Sequence, residues 1–176
     1  TEIRKDSKEI LLANGETRKY DKLILATGAE AFIPPIKGAD QEGVTAIRSL
    51  EGVKKLQETL KKISKAVVIG GGILGLEAAW ELKKAGKEIT VIELSPNIMN
   101  KQLDEKGSAL LQAAAEMSGI RVITGKGIEE ITGDGKASGV KLADGTLAEG
   151  ELVILSTGVK PNIELAQAAG IETGRS

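Results

Sequence analysis

Three glycines and one carboxylate have the types and the spacing to hold a nucleotide. Gly70, Gly72 and Gly75 follow a run of β-branched residues at the spacing G-x-G-x-x-G, and Glu93 ends the next apolar run. In such a turn the first glycine allows the chain to reverse, the second lets a pyrophosphate approach the backbone, and the third lets helix and strand pack closely. Glu93 comes near the roughly 20-residue distance at which an acid binds a ribose diol. The pattern predicts a dinucleotide site.

The sequence around these residues predicts the elements that such a site requires. Residues 66–69 are predicted to form a buried strand, residues 73–85 a helix ended by Gly86, and residues 89–93 a second strand. Backbone N–H groups at the start of the helix would then face the phosphates. The alternative is a glycine-rich turn that binds no ligand.

Glu93 also predicts which dinucleotide is bound. A carboxylate repels the 2′-phosphate of NADPH but binds the free ribose hydroxyls of NADH. Residues 94–97 supply no Arg or Lys for such a phosphate, although Lys101 is near enough in sequence to reach one. We therefore expect NADH, with NADPH less favoured.

The composition narrows the remaining chemistry. The 176 residues include neither cysteine nor histidine, and the net charge is −1. The chain therefore has neither a thiolate nucleophile nor a histidine base, and we predict no metal site. Redox chemistry would then need a cofactor. No basic run suggests nucleic acid, and no apolar run has the length of a membrane span. We expect a cytoplasmic protein.

Two stretches of the sequence repeat at a constant offset of 130 residues. Residues 10–15 align with residues 140–145, and residues 23–28 with residues 153–158, without a gap. Each copy has an Asn-Gly or Asp-Gly pair that favours a hairpin, followed by a strand that ends in Thr-Gly. A single repeat at this distance indicates two related domains, the first of which would begin upstream. A chance match of two hairpins is the alternative.

The remaining residues predict further elements of an α/β fold. Residues 22–26 read as a short buried strand, and residues 30–38 as an extended linker. The other predicted elements are a strand at 44–47, a helix from Ser49 to Ile63, a helix at 104–118, a strand at 120–124, an antiparallel excursion at 127–142, a strand at 151–156 and a helix at 163–169 capped by Asn162. We expect a Rossmann-like parallel sheet with crossover helices and a small antiparallel excursion, beside a β-rich fragment of a neighbouring domain.

Three segments, in this order, resemble signatures of the FAD-dependent pyridine nucleotide-disulfide oxidoreductase superfamily: residues 25–28, 69–77 and 156–162. The similarity is greatest to the branch without a redox disulfide, which includes NADH oxidases, rubredoxin and ferredoxin reductases, and the large subunit of NAD(P)H nitrite reductase. The resemblance implies three parts. Residues 1–36 would end a first FAD-domain segment, residues 37–158 would be the NAD(P)H-binding Rossmann-like domain, and residues 159–176 would begin the return to the FAD domain.

The resemblance also implies roles for individual residues. Thr27 and Gly28 would contact FAD. Glu77 would be a catalytic carboxylate facing the nicotinamide, although with Glu81 and Lys84 it equally forms an ordinary solvent-exposed stripe of the helix. The residues implied to bind NADH are Gly70, Gly71, Gly72, Ile73, Leu74, Gly75, Glu93, Ile128, Thr157 and Gly158.

Two functions of different classes follow from the resemblance. In the first, the chain is the NADH-binding portion of an FAD-dependent NAD(P)H oxidoreductase that passes hydride to FAD and electrons to an acceptor protein or small molecule. In the second, it is an isolated dinucleotide-binding module without activity, which binds NADH but holds FAD poorly. A structural or dimerising fragment is a third, weaker alternative, because residues 1–28 would carry open sheet edges. The implied partners are the remaining FAD and interface domains, the acceptor and a second copy in a homodimer, with neither nucleic acid nor membrane.

Overall fold

The computed structural model describes residues 1–174, without the side chains of Glu51 and Lys55. These residues divide into two compact units, one of residues 33–158 and one that combines residues 1–32 with the chain from Val159 onward. The predicted boundary after Ile36 differs from this division, because Ile36 packs against the hydrophobic core of the larger unit. Residues 175 and 176, the end of the predicted return segment, lie outside the described residues.

The described residues form thirteen strands and four helices. The strands are β1 (Glu2–Arg4), β2 (Glu9–Leu11), β3 (Thr17–Lys19), β4 (Ala29–Ala31), β5 (Val44–Thr45), β6 (Lys65–Ile69), β7 (Glu88–Glu93), β8 (Ile120–Thr124), β9 (Ile128–Gly133), β10 (Ala137–Leu142), β11 (Leu147–Glu149), β12 (Leu152–Leu155) and β13 (Val159–Pro161). The helices are α1 (Leu50–Leu60), α2 (Ile73–Lys84), α3 (Glu105–Met117) and α4 (Glu164–Ala168). No helix within residues 1–174 has the length and apolar character needed to cross a bilayer.

The larger unit is organised around a parallel sheet with the strand order β5-β12-β6-β7-β8. All of β12 is buried, and so are residues 66–69 of β6. Continuous apolar runs of this kind form parallel strands that are covered on both faces. Because α2 connects β6 to β7 and α3 connects β7 to β8, the predicted α/β fold is confirmed.

Each face of the parallel sheet has its own hydrophobic core. Val68 of β6 packs with Ala79 and Leu82 of α2 on one face. Its neighbour Val67 points to the other face, since successive strand residues alternate, and packs with Val140 of β10. The antiparallel sheet β11-β10-β9 thus covers the face opposite the helices. Of its three strands, the short β11 is not among the predicted ones.

The smaller unit contains the first copy of the sequence repeat. Strands β1, β2 and β3 form an antiparallel sheet, as β9, β10 and β11 do in the larger unit. The Leu12 N–H donates to the Glu16 carbonyl at 2.8 Å, and the Asn14 side chain accepts the Glu16 N–H at 3.0 Å. The hairpin around Asp144 repeats both hydrogen bonds at the same offset, at 2.8 and 3.0 Å. The two copies of the repeat therefore share the hydrogen bonds of the hairpin as well as the sequence.

The prediction of a buried strand at residues 22–26 is wrong for this chain. Ile24 is 88% exposed, whereas Ile154, its equivalent in the repeat, is 1% exposed. The reason is pairing: β12 lies between β5 and β6, while residues 22–26 have no neighbouring strand among the described residues. The predicted linker at 30–38 likewise begins inside a strand, because β4 pairs with β13.

One carboxylate fixes the start of the central strands. Glu151 precedes β12, and its Oε2 accepts the N–H groups of Ser64 at 2.7 Å and Lys65 at 3.1 Å, where β6 begins. These two backbone hydrogen bonds hold the pKa of Glu151 below its usual value. An acid whose pKa is lower in the folded state stabilises the fold at a pH above its unfolded pKa, and this contribution is lost as the pH falls through the folded value.

We predict that Glu151→Gln lowers the free energy of unfolding at pH 7 by about 1 kcal/mol, because hydrogen bonds to a charged acceptor contribute more than those to a neutral one. The difference from wild type should shrink toward zero at pH 3. Urea denaturation at both values measures this. Glu149→Gln is the matched control, since Glu149 is 64% exposed and pairs with Lys65 at the surface. An equal difference for Glu151→Gln at pH 7 and pH 3 would contradict the prediction.

Candidate dinucleotide-binding site

The turn after β6 requires glycine at Gly70 for two reasons. Its φ is +115°, in the region that side chains disfavour. A Cβ atom there would also overlap the carbonyl oxygen of Ser156, which follows the neighbouring strand β12. The Gly70 N–H donates to the Ile92 carbonyl of β7 at 2.8 Å. Gly70 thus ends β6 against both of its neighbouring strands.

Gly72 and Gly75 differ in what surrounds them. A Cβ atom on Gly75 would overlap the carbonyl oxygen of Gly70, so the first turn of α2 packs directly on the loop backbone. A Cβ atom on Gly72 would meet nothing within 4 Å. The first contact sets the position of the helix, and the open space beside Gly72 suits a phosphate that approaches the backbone.

Helix α2 begins without a side-chain cap. Ser49 caps α1 and Asp104 caps α3, each by accepting a backbone N–H of the first turn. Gly72 provides no such acceptor for α2, and the first turn carries no acidic residue. The N–H groups of Ile73, Leu74 and Gly75 have no partner within a helix, since only Leu76 reaches back to the Gly72 carbonyl, at 3.0 Å. This helix terminus therefore favours an anion.

The Glu93 carboxylate lies against the same loop. Its Oε2 accepts the Gly71 N–H at 2.7 Å, and its Oε1 accepts the Ser95 N–H at 2.8 Å. Each carboxylate oxygen has a second lone pair, so the half-buried group can still accept ribose hydroxyls. Glu93 therefore also holds the glycine loop, a role that its spacing in the sequence does not indicate.

The sequence reasoning missed the segment that follows Glu93. Met99 donates its N–H to the Gly71 carbonyl at 2.9 Å, and Ile98, which is 0% exposed, lies beneath Gly71. The segment is irregular and so has no hydrophobic period to predict its position. Ile98 is the residue of this segment that is buried, between α3 and the glycine loop.

The other predicted NADH residues lie at the carboxyl ends of strands or start a new one. Thr157 and Gly158 follow β12, and Gly158 is exposed with a φ of +104°. Since β12 and β6 are parallel neighbours, Thr157 and the glycine loop both follow the carboxyl edge of the sheet, where open α/β sheets bind ligands. Ile128 starts β9 and is half-buried against the core between the two sheets.

Glu77, the predicted catalytic carboxylate, is an exposed residue of α2. Glu81 and Lys84 on the same helix form an ion pair at 2.6 Å. The structure places Glu77 one turn nearer the glycine loop than this pair. Its catalytic role stays a prediction.

Thr27 and Gly28, the predicted FAD contacts, are held by Asn162 within the smaller unit. The Thr27 hydroxyl donates to the Asn162 carbonyl at 2.6 Å, and the Asn162 side-chain amide donates to the Thr27 carbonyl at 2.9 Å. The Asn162 N–H donates to the Gly28 carbonyl at 3.0 Å. The prediction of Asn162 as a helix cap is therefore wrong: Ile163 precedes α4 without a side-chain cap, because Asn162 bonds to Thr27 instead.

A concavity of about 370 Å³ lies at the edge of the sheet opposite the glycine loop. Its lining includes Lys65 and Glu88, the first residues of β6 and β7. Lys65 pairs with Glu149 there at 2.7 Å. Ligands of open α/β sheets bind at the carboxyl ends of the strands, so the glycine loop, and not this concavity, is the candidate dinucleotide site.

Comparison with known proteins identifies the family. The family described as pyridine nucleotide-disulphide oxidoreductase matches residues 1–176. The chain belongs to this family. The resemblance drawn from the three sequence segments is thereby confirmed.

The chain is similar to several kinds of oxidoreductase. NAD(P)H nitrite reductase of Bacillus subtilis is 41% identical over 170 residues, which are 97% of this chain and 21% of that protein. NADH oxidase of Methanocaldococcus jannaschii is 40% identical over 158 residues, 89% of this chain and 35% of that protein. The ferredoxin reductase of Rhodopseudomonas palustris matches with a TM-score of 0.92 at 33% identity, over 99% of this chain and 43% of that one. The chain thus spans less than half the length of each.

Because the surroundings of Gly72 and Gly75 differ, the same substitution to alanine is predicted to affect stability at one position and NADH binding at the other. Gly75→Ala should lower the free energy of unfolding by about 1–3 kcal/mol through overpacking, although alanine otherwise favours helices. Gly72→Ala should leave that free energy within about 1 kcal/mol of wild type, yet weaken NADH binding about tenfold because its methyl group enters the space for the phosphate.

Urea denaturation and calorimetric titration with NADH measure the two effects. The prediction fails if Gly75→Ala is as stable as wild type. It also fails if Gly72→Ala binds NADH with unchanged affinity.

Proposed function

We propose that the chain is the NADH-binding portion of an FAD-dependent NAD(P)H oxidoreductase. The observation that carries the proposal is the uncapped start of α2, set directly behind the glycine loop. A helix terminus with unpaired N–H groups and open space beside Gly72 fits a pyrophosphate. The half-buried carboxylate of Glu93, which ends β7 and accepts a hydrogen bond from the same loop, fits the adjoining ribose.

In this proposal each part of the site has a separate task. The N–H groups at residues 72–75 bind the pyrophosphate, and Glu93 binds the adenosine ribose. Ile128 bounds the adenine side, while Thr157 and Gly158 lie toward the nicotinamide end, with Glu77 as the carboxylate nearest the reacting ring. When bound, NADH supplies a hydride for reduction of the flavin of FAD. The protein contributes by holding the dinucleotide in one orientation.

We further propose that the smaller unit belongs to an FAD domain that is completed by residues outside this sequence. The repeat supports this, because its second copy continues into the parallel sheet that carries the glycine loop. In the first copy the equivalent segment, residues 22–26, exposes Ile24 and lacks neighbouring strands among the described residues. Thr27 and Gly28 would then contact FAD, which this chain alone should hold poorly.

The electron acceptor is left open between a protein and a small molecule. The relatives named above are a nitrite reductase, an NADH oxidase and a ferredoxin reductase, so acceptors differ between members of the family. Further FAD and interface domains and a second copy in a homodimer complete the proposed partners. The cytoplasmic location stays a prediction.

The second candidate is a dinucleotide-binding module without activity. The exposed segment at residues 22–26 favours it for this chain taken alone, because the proposed FAD domain is incomplete. We expect NADH to bind without turnover when an artificial electron acceptor and free FAD are supplied. Steady NADH oxidation by the purified chain would contradict this and show that the chain suffices for the reaction.

The choice between NADH and NADPH is predicted to depend on Glu93. In Glu93→Gln with Leu94→Arg, the negative charge is removed and a guanidinium is placed on a residue that is 72% exposed. We expect the ratio of NADPH to NADH affinity to rise at least about tenfold, since hydrogen bonds to charged groups contribute about 1.5–3 kcal/mol.

Calorimetric titration with each dinucleotide measures this ratio. Lys101→Gln serves as the comparison, because Lys101 is exposed and lies close in sequence to the ribose residue. An unchanged ratio of NADPH to NADH affinity in the double variant would contradict the proposal that Glu93 binds the ribose. A large fall in NADPH affinity in Lys101→Gln would assign the phosphate-binding role to Lys101.

A further inference from the structure

A buried hydroxyl on α3 connects that helix to the glycine loop. Ser108 is 1% exposed. Among the residues whose side chains are described, it is the only polar one that is buried. Its Oγ donates to the carbonyl of Ile98 at 2.8 Å. Ile98 is itself 0% exposed, so this hydrogen bond lies in the interior, where an unpaired carbonyl is costly.

The segment held by Ser108 carries the contacts that orient Gly71. The Cγ2 atom of Ile98 lies 2.8 Å from the point that a Cβ on Gly71 would occupy. The next residue, Met99, has a φ of +53° and donates its N–H to the Gly71 carbonyl at 2.9 Å. On its other side Gly71 donates its own N–H to Glu93 at 2.7 Å. Gly71 is therefore held at both of its polar groups.

Holding the Gly71 carbonyl also sets the direction of the next N–H. A trans peptide unit keeps its C=O and N–H on opposite sides. Because the Gly71 carbonyl points to Met99, the Gly72 N–H points away from the segment of residues 98–99. Gly72 is the residue that leads into the uncapped helix terminus. The hydrogen bond from Ser108 thus reaches the first N–H of the proposed phosphate site through Ile98 and Met99.

We infer that Ser108 is a positioning residue for dinucleotide binding. Its hydroxyl anchors the 98–99 segment, which in turn fixes the peptide unit between Gly71 and Gly72 in the orientation that presents the Gly72 N–H to a pyrophosphate. This inference rests on the proposed function of the glycine loop. It adds a residue from outside the strand–loop–helix unit, one that does not touch the ligand.

The test compares two serines of the same helix region. Ser108→Ala removes the buried hydrogen bond. Ser118→Ala is the matched control, because its Oγ donates to the Ala114 carbonyl at 2.9 Å at the exposed end of α3. We expect Ser108→Ala to weaken NADH binding about five- to tenfold, a typical effect of one lost hydrogen bond. We expect Ser118→Ala to bind as wild type does.

Amide NMR of the ligand-free protein supplies the readout that general destabilisation would not produce. In Ser108→Ala the amide signal of Gly72 should shift and its exchange with solvent should change. Signals of β10, which lies on the face of the parallel sheet opposite the helices, should stay in place. Ser108→Cys retains a donor that is weaker and somewhat larger than the hydroxyl, so it should show the same changes to a smaller extent. It serves in place of Ser108→Ala if that variant does not fold.

Two outcomes separate the inference from the proposed function. A folded Ser108→Ala or Ser108→Cys with unchanged NADH affinity and an unchanged Gly72 signal overturns the inference. If wild type itself binds no NADH, the proposed function fails. The Gly72 signal then still decides, by its shift or its constancy, whether Ser108 positions the loop.

Discussion

The contact between Gly75 and the carbonyl of Gly70 is the constraint on which the rest of the candidate site depends. It brings the first turn of α2 onto the loop backbone with no room for a side chain. Gly72, which has open space around it, precedes the helix and supplies no capping side chain. The partial positive charge of that terminus is therefore available to a ligand and not neutralised by the protein.

Polar groups around the loop restrict its conformation from several directions. Glu93 holds one side of Gly71, and Met99 holds the other. Gly70 is placed between the neighbouring strands by its bond to Ile92. A loop fixed in this way loses little further entropy when a ligand binds, which is the advantage of a preorganised site.

The sequence predicted the larger unit well because its signals are local. The apolar run at 66–69, the glycines after it and the helical pattern at 104–118 each predict their own element, and the α/β fold and the family follow from them. The failures came from pairing and packing at a distance. Residues 22–26 have the composition of a strand but no neighbouring strand within residues 1–174, and Asn162, a residue type that often caps helices, bonds to Thr27 instead. No local pattern indicates that Ile98 and Ser108 lie behind the glycine loop.

The measurement that tests the central claim most directly is a titration of the isotope-labelled chain with NADH, followed by the amide NMR signals of the glycine loop. If the start of α2 binds the pyrophosphate, the signals of residues 72–75 should move progressively and saturate together. Signals from the opposite edge of the sheet, such as Lys65 and Glu88, should stay in place. The account is contradicted if saturating NADH moves signals elsewhere and leaves those of residues 72–75 unchanged.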